Sequence, residues 1–79
     1  PLVLGRSSLC HIQVDHKEIS RKHLEIAYEG GLFILKDLNS SGGTFIGGNR
    51  ISSVRIEHKM QVMLAGLLPL QFGLRRRTA

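Results

Sequence analysis

Apolar residues in this chain recur with a period of two, and that spacing limits the fold more than any other feature. The stretch "HLEIAY" sets Leu24, Ile26 and Tyr28 on one face, with Glu25 and Ala27 opposite. After the turn signal Glu29-Gly30-Gly31, "GLFILKDL" runs largely apolar from Leu32 to Leu38. "HIQVD" places Ile12 and Val14 together, and "LVLG", "TFI", "MQVML" and "LQFGL" are further strand candidates. A helix needs apolar positions at a spacing of 3.6, with caps, over about eleven residues or more, and no segment shows this. Short strands at close spacing, punctuated by Gly and Ser, predict an all-β sandwich or barrel.

The chain has 79 residues, enough for one small domain. A domain of this size buries only about 60–65% of its unfolded surface, so the core is expected to be thin. The composition is 42% hydrophobic without a low-complexity run, which is globular rather than disordered. The aromatics, three Phe and one Tyr, are scattered and offer no platform for stacking bases. Cys10 is the single cysteine, which excludes an internal disulfide and a cysteine metal cluster. Neither a membrane-spanning run of about 18–20 apolar residues nor a signal peptide is evident. Because the chain begins with Pro1 rather than Met, it reads as a segment of a longer protein.

The formal net charge of +5 favours an anionic partner. The terminal "RRRTA" supplies three of those charges, and the remainder is only mildly basic. Residues 75–79 are read as a solvated tail or linker after a domain spanning 1–74. A salt-sensitive nucleic-acid contact through the tail, or phosphorylation of Thr78 after its three arginines, are lesser readings of it.

Polar clusters fall between the strands: "GRSSLCH" after the first, "DHKEISRKH" between the second and third, and "NSSGGT" after the fourth. If these loops share one end of a sandwich, they bring together Arg6, Ser20, Arg21, Lys22, Ser40 and Ser41, a set of hydroxyls and cations. Glycine-rich loops also present backbone N–H groups to anions. The bland readings are a turn hydroxyl for Ser20 and a buried, hydrogen-bonded scaffold histidine for His23. No nucleotide-binding glycine motif occurs, because Gly48 is followed by Asn49-Arg50 rather than by Lys and a hydroxyl residue. His11, His16, His23 and His58 lack metal-ligand spacing, and no nucleophile stands with a base and carboxylate. Neither a metal, a cofactor nor an enzyme activity is expected.

In order, Gly5-Arg6, Ser20-Arg21-Lys22-His23, Asp37-Leu38-Asn39-Ser40, Gly43-Thr44 and Ile46-Gly47-Gly48 resemble the motifs of the forkhead-associated (FHA) domain. The resemblance runs from Leu2 to about Phe72. It implies an eleven-stranded sandwich of two antiparallel sheets that binds phosphothreonine peptides through loops at one end. The chain starts almost at the G-R strand, so the family's first strands are expected to be missing or formed differently.

Carried over by position, Arg6, Ser20, Arg21 and Ser41 would contact phosphate. Lys22, Gly42, Gly47 and Asn49 would lie near the peptide, and Gly5, His23, Gly43 and Thr44 would be scaffold. Gly42 and Gly47 stand where the family usually has asparagines that hold the peptide, which predicts a weakened grip. It also predicts that Gly42→Asn would tighten binding without disturbing the fold. The implied function is a phosphothreonine-dependent protein-interaction module in an intracellular compartment. The alternative is an FHA-like structural or dimerising scaffold without phosphopeptide binding.

Overall fold

The computed structural model describes residues 1–74, so the basic tail and the expectations placed on it lie outside the described residues. Nine strands are present: β1 (Leu2–Gly5), β2 (Ile12–Gln13), β3 (Leu24–Glu29), β4 (Leu32–Asp37), β5 (Thr44–Ile46), β6 (Asn49–Arg50), β7 (Ser53–Arg55), β8 (Gln61–Leu64) and β9 (Leu68–Gln71). They form a five-stranded sheet in the order β2-β1-β3-β4-β7 and a four-stranded sheet in the order β6-β5-β8-β9. All pairings are antiparallel except the two-residue parallel contact of β1 with β2.

The longest ladder joins β3 to β4, from Leu24↔Asp37 to Glu29↔Leu32. Its turn is Gly30-Gly31, with φ of 57° and 81°. Two consecutive positive φ angles match the right-handed twist of a tight hairpin, which is why a glycine pair stands there. Residues opposite one another across the ladders share a face. Leu4 and Leu24 form one row, and Leu2, Ile26, Leu35 and Val54 form the next. This face meets Val62 and Leu64 of the second sheet, while Ile19 and Ile56 enter the same core from loops. Each such side chain, fully removed from water, stabilises the fold by roughly 1.5–3 kcal/mol.

The structure departs from the alternation pattern at several places. Tyr28 follows Leu24 and Ile26 on the core face, yet it is 66% exposed. It pairs with Phe33, also exposed, their ring centroids 4.9 Å apart. The core face of the first sheet thus continues beyond its cover. Ala27, on the other face, is buried beside its ladder partner Ile34. Ile12 sits on an edge strand and is exposed, whereas Val14 packs against the core. Strand β6 is two polar residues and β7 holds a single apolar one, Val54, too little for periodicity to reveal them. The last strand includes Pro69 and ends at Gln71, before the expected "FGL". Proline is acceptable there because β9 is an edge strand, where a missing N–H need not break a ladder.

Candidate functional site

The G-R corner is shaped by steric necessity. A Cβ on Gly5 would collide with the carbonyl oxygen of Arg21, so only glycine lets the end of β1 lie against the Ser20–His23 segment. That approach aligns the chains: Arg6 N–H donates to Ser20 O (2.9 Å) and Ser7 N–H to Arg21 O (3.2 Å). The Arg6 side chain then folds over the loop, and its Nε–H donates to Ile19 O at 3.0 Å. Ile19 is almost fully buried and anchors this loop in the core. Its neighbour Ser20 is therefore held at a fixed height above the sandwich end.

His23 ties the loops together from beneath. Its ring is fully buried. Nδ1 accepts the Ser20 N–H at 3.2 Å, which leaves Nε2–H to donate to Gly43 O at 2.9 Å. The histidine thus bridges the Ser20 loop and the 38–43 loop.

The 38–43 loop is organised by Asp37, which sequence reasoning left without a role. Its carboxylate accepts hydrogen bonds from Ser40 N–H (3.0 Å), Ser40 Oγ–H (2.6 Å) and Thr44 Oγ1–H (2.8 Å). Burial alone would push the Asp37 carboxyl up. The Ser40 and Thr44 hydrogen bonds, aided by His23, outweigh that and hold it below the ordinary carboxylate range. The Asp-x-x-Ser spacing of an Asp-initiated turn is the signal that could have found it. Ser40 Oγ also accepts Gly43 N–H, so this serine is buried scaffold rather than an exposed donor. Asn39 enters the loop at a left-handed φ of 57°.

The two loops meet at Ser20 and Ser41. Ser41 N–H donates to Ser20 Oγ at 3.0 Å, and the hydroxyl oxygens are 3.3 Å apart. One hydroxyl proton is shared between the two oxygens, which leaves the pair one hydroxyl proton to donate outward. Arg6 lies one peptide unit away. Among the described residues the one cation–carboxylate pair within 4 Å is Lys36–Glu29, so Arg6 and Arg21 have no carboxylate neutralising them. The structure therefore brings together two hydroxyls and a guanidinium without a carboxylate partner, groups suited to an oxyanion, while the N–H groups of Ser40, Ser41 and Gly43 are spent on holding the loop.

Other expected residues take different positions. Arg21 is exposed, and the interactions it makes within the fold run through its carbonyl, which also receives the Cys10 thiol at 3.1 Å. Lys22 borders a separate cleft with Val3, Ser7, Leu9, Cys10 and His11. Gly47 and Asn49 belong to the β5–β6 hairpin, where Gly47-Gly48 form the turn. Gly43 adopts a φ of 83° and Thr44 is fully buried. Gly42 differs from its expectation: an added Cβ would stand 2.7 Å from Ala65 Cβ and 3.1 Å from Glu18 O. A side chain cannot be introduced there without shifting backbone. Arg50 was also missed; its Nη2–H donates to Ser40 O at 2.7 Å. Among the described residues no three His, Cys, Asp or Glu side chains gather as metal ligands. No helix long and apolar enough to cross a membrane occurs among them.

This architecture is a two-sheet β-sandwich with a polar site at its loop end. The FHA domain family model matches residues 2–65, and the chain belongs to that family. Among solved structures it is similar to FHA-1 of Rv1747 from Mycobacterium tuberculosis, at 28% identity and a TM-score of 0.76, over 81% of this chain and 65% of that one. It is also similar to EmbR from M. tuberculosis in complex with a low affinity phosphopeptide, at 25% identity and a TM-score of 0.84, over 99% of this chain and 21% of that one. A third, an FHA domain analysed for phosphothreonine-dependent interactions, is 26% identical with a TM-score of 0.75, over 81% of this chain and 67% of that one. The match thus spans about a fifth of EmbR and slightly under two thirds of the first structure. No curated protein matches it in sequence.

Proposed function

We propose that this domain is a non-catalytic module that binds phosphothreonine-containing proteins, with Arg6, Ser20, Arg21 and Ser41 as its phosphate contacts. The observation that carries this reading is the Ser20–Ser41 hydroxyl pair beside Arg6, with no carboxylate to neutralise it. A phosphate brings a charge of about −1.5 to −2, and charge-assisted hydrogen bonds to it contribute roughly 1.5–3 kcal/mol each. The similarity to EmbR bound to a phosphopeptide supports the same ligand class. With glycine at positions 42 and 47, the peptide backbone meets bare main chain, so the grip beyond the phosphate is weak. A phosphothreonine ligand implies a compartment where kinases act, so the module is read as intracellular. Titration of a phosphothreonine peptide library against unphosphorylated twins tests the reading. Selective binding of the phosphorylated set supports it, and equal binding of both sets sinks it.

A second reading, a dimerising scaffold, draws on the exposed continuation of the core face at Leu2, Tyr28 and Phe33. Sedimentation separates the two: a strict monomer at high concentration removes the dimer.

A further inference from the structure

The end of the sandwich opposite the Arg6, Ser20 and Ser41 loops is both apolar and basic. Those loops join the strands where Gly5, Leu24 and Asp37 lie, whereas Leu2, Glu29 and Leu32 mark the other ends of β1, β3 and β4. Among the described residues eight large apolar side chains are exposed, and five of them stand at this far end. They are Leu2, Tyr28, Leu32, Phe33 and Leu74, each 38–66% exposed. Clustered exposure of this kind, unlike scattered exposure, marks an interaction surface. Leu32, Phe33, Ile56 and Leu74 share a cleft of about 540 Å³ with Arg55. Ile56 N–H donates to Phe33 O at 2.8 Å and Leu74 N–H to His58 Nδ1 at 3.0 Å, which fixes the walls. The Gly30-Gly31 turn stands clear of the fold, with nothing within 4 Å of a Cβ built at either position.

The charge here is positive. Glu29 is neutralised by Lys36 at 2.7 Å, the one ion pair within 4 Å among the described residues. Arg55 and Lys59 are exposed and have no carboxylate partner within that distance, and Glu57 is the acidic residue between them. In sequence, Leu74 runs directly into Arg75-Arg76-Arg77. Apolar side chains beside cations fit the boundary of an anionic lipid bilayer, where burial in the headgroup region and attraction to the surface charge add together. A fluid lipid surface admits a projecting turn without a matching hollow. Tyr28 suits that boundary, with an apolar ring and a hydroxyl for the wet side. A second copy fits poorly, because two such ends would bring like charges together. Nucleic acid would use the cations but leave the five apolar side chains in water.

We propose that this end of the domain docks on an anionic membrane surface. Tyr28, Leu32, Phe33 and Leu74 enter the headgroup region, Arg55 faces the anionic headgroups, and the arginines that follow Leu74 add to the attraction. The phosphate loops then face away from the bilayer and stay open to a partner. The docking does not rest on the phosphothreonine reading and fails or stands independently of it.

The chain holds one tyrosine and no tryptophan, so its intrinsic emission reports Tyr28. The whole chain is mixed with vesicles of phosphatidylcholine alone, or of phosphatidylcholine and phosphatidylserine in equal parts, and binding is read by co-sedimentation. Binding should require phosphatidylserine and weaken as salt rises. Tyr28 emission should fall when spin-labelled lipid is included in the vesicles. Arg55→Gln should lose roughly fivefold in affinity and Tyr28→Ser roughly threefold or more, as expected for one interfacial charge and one partly inserted ring. Both variants should keep the wild-type affinity for phosphothreonine peptides, because neither residue lies in the phosphate loops. Failure to bind the phosphatidylserine vesicles, or equal binding to phosphatidylcholine alone, overturns the proposal. Binding that leaves Tyr28 unquenched assigns the attraction to the arginines after Leu74 alone and also overturns it. Self-association without vesicle binding, abolished by Tyr28→Ser, would give the surface to a second copy instead. The quenching uses the unaltered chain, so it decides the matter even if a variant melts early.

Discussion

Gly42 and Ala65 are locked against each other: a Cβ on Gly42 would stand 2.7 Å from the Cβ of Ala65. Ala65 itself holds a left-handed φ of 55°, and its N–H donates to Gly43 O at 2.8 Å. The turn after β8 therefore closes directly over the 38–43 loop. An asparagine at position 42 meets that turn before it can meet a peptide.

Gly42→Asn should accordingly lower stability by about 1–3 kcal/mol, the usual penalty for overpacking a close contact. Ala65→Gly removes the obstructing methyl group and suits the left-handed backbone. In the Ala65→Gly background, the loss caused by Gly42→Asn should shrink by more than half. Thermal or urea melts of the four proteins measure this coupling, and additive losses would show that the two positions are independent. Gly47 is the more permissive site. It lies at a φ of 55° with no neighbour in reach of a Cβ, and Asn-Gly suits such a turn. Gly47→Asn should leave the melting temperature within a few degrees of wild type by the same melts.

Arg6→Ala should leave the domain folded while weakening phosphopeptide binding by roughly tenfold or more, from the loss of charge-assisted bonds. The same titration with unphosphorylated peptide should be unchanged. A folded variant with wild-type phosphopeptide affinity removes Arg6 from the site.

His23→Ala removes the bridge between Ser20 N–H and Gly43 O. It leaves a donor unsatisfied and a cavity in a buried site, a cost of about 2–4 kcal/mol. In a domain this small that corresponds to on the order of 10–20 °C in Tm. Differential scanning calorimetry checks it, and an unchanged Tm with lost binding would move His23 from scaffold to ligand contact.

Asp37 carries a pH signature. Its carboxyl is held below the ordinary range in the folded state, so ionised Asp37 stabilises the fold above the unfolded-state value of about 3.9. That contribution is lost as pH falls through the lower folded-state value. Asp37→Asn should therefore be less stable than wild type at pH 7, and the gap should narrow as the pH drops below about 4. Urea melts from pH 7 to pH 3 follow it. A gap constant across that range would mean that the charge of Asp37 plays no part.

The alternation in "HLEIAY", the glycine-pair turn and the apolar run of "GLFILKDL" determined the β class and the central hairpin. These signals are local: side-chain period and turn geometry are properties of consecutive residues. The ordered G-R, S-x-x-H and Gly-Thr pieces likewise marked the loops that build the site. Tertiary structure decided what those loops can do. That Ser20 and Ser41 touch and that His23 bridges two loops depend on residues distant in sequence meeting in space. The room at Gly42 is set by Ala65, twenty-three positions later, and the exposure of Tyr28 by where the facing sheet ends. No periodicity encodes such distances, because packing between sheets is fixed by the whole core rather than by any one segment.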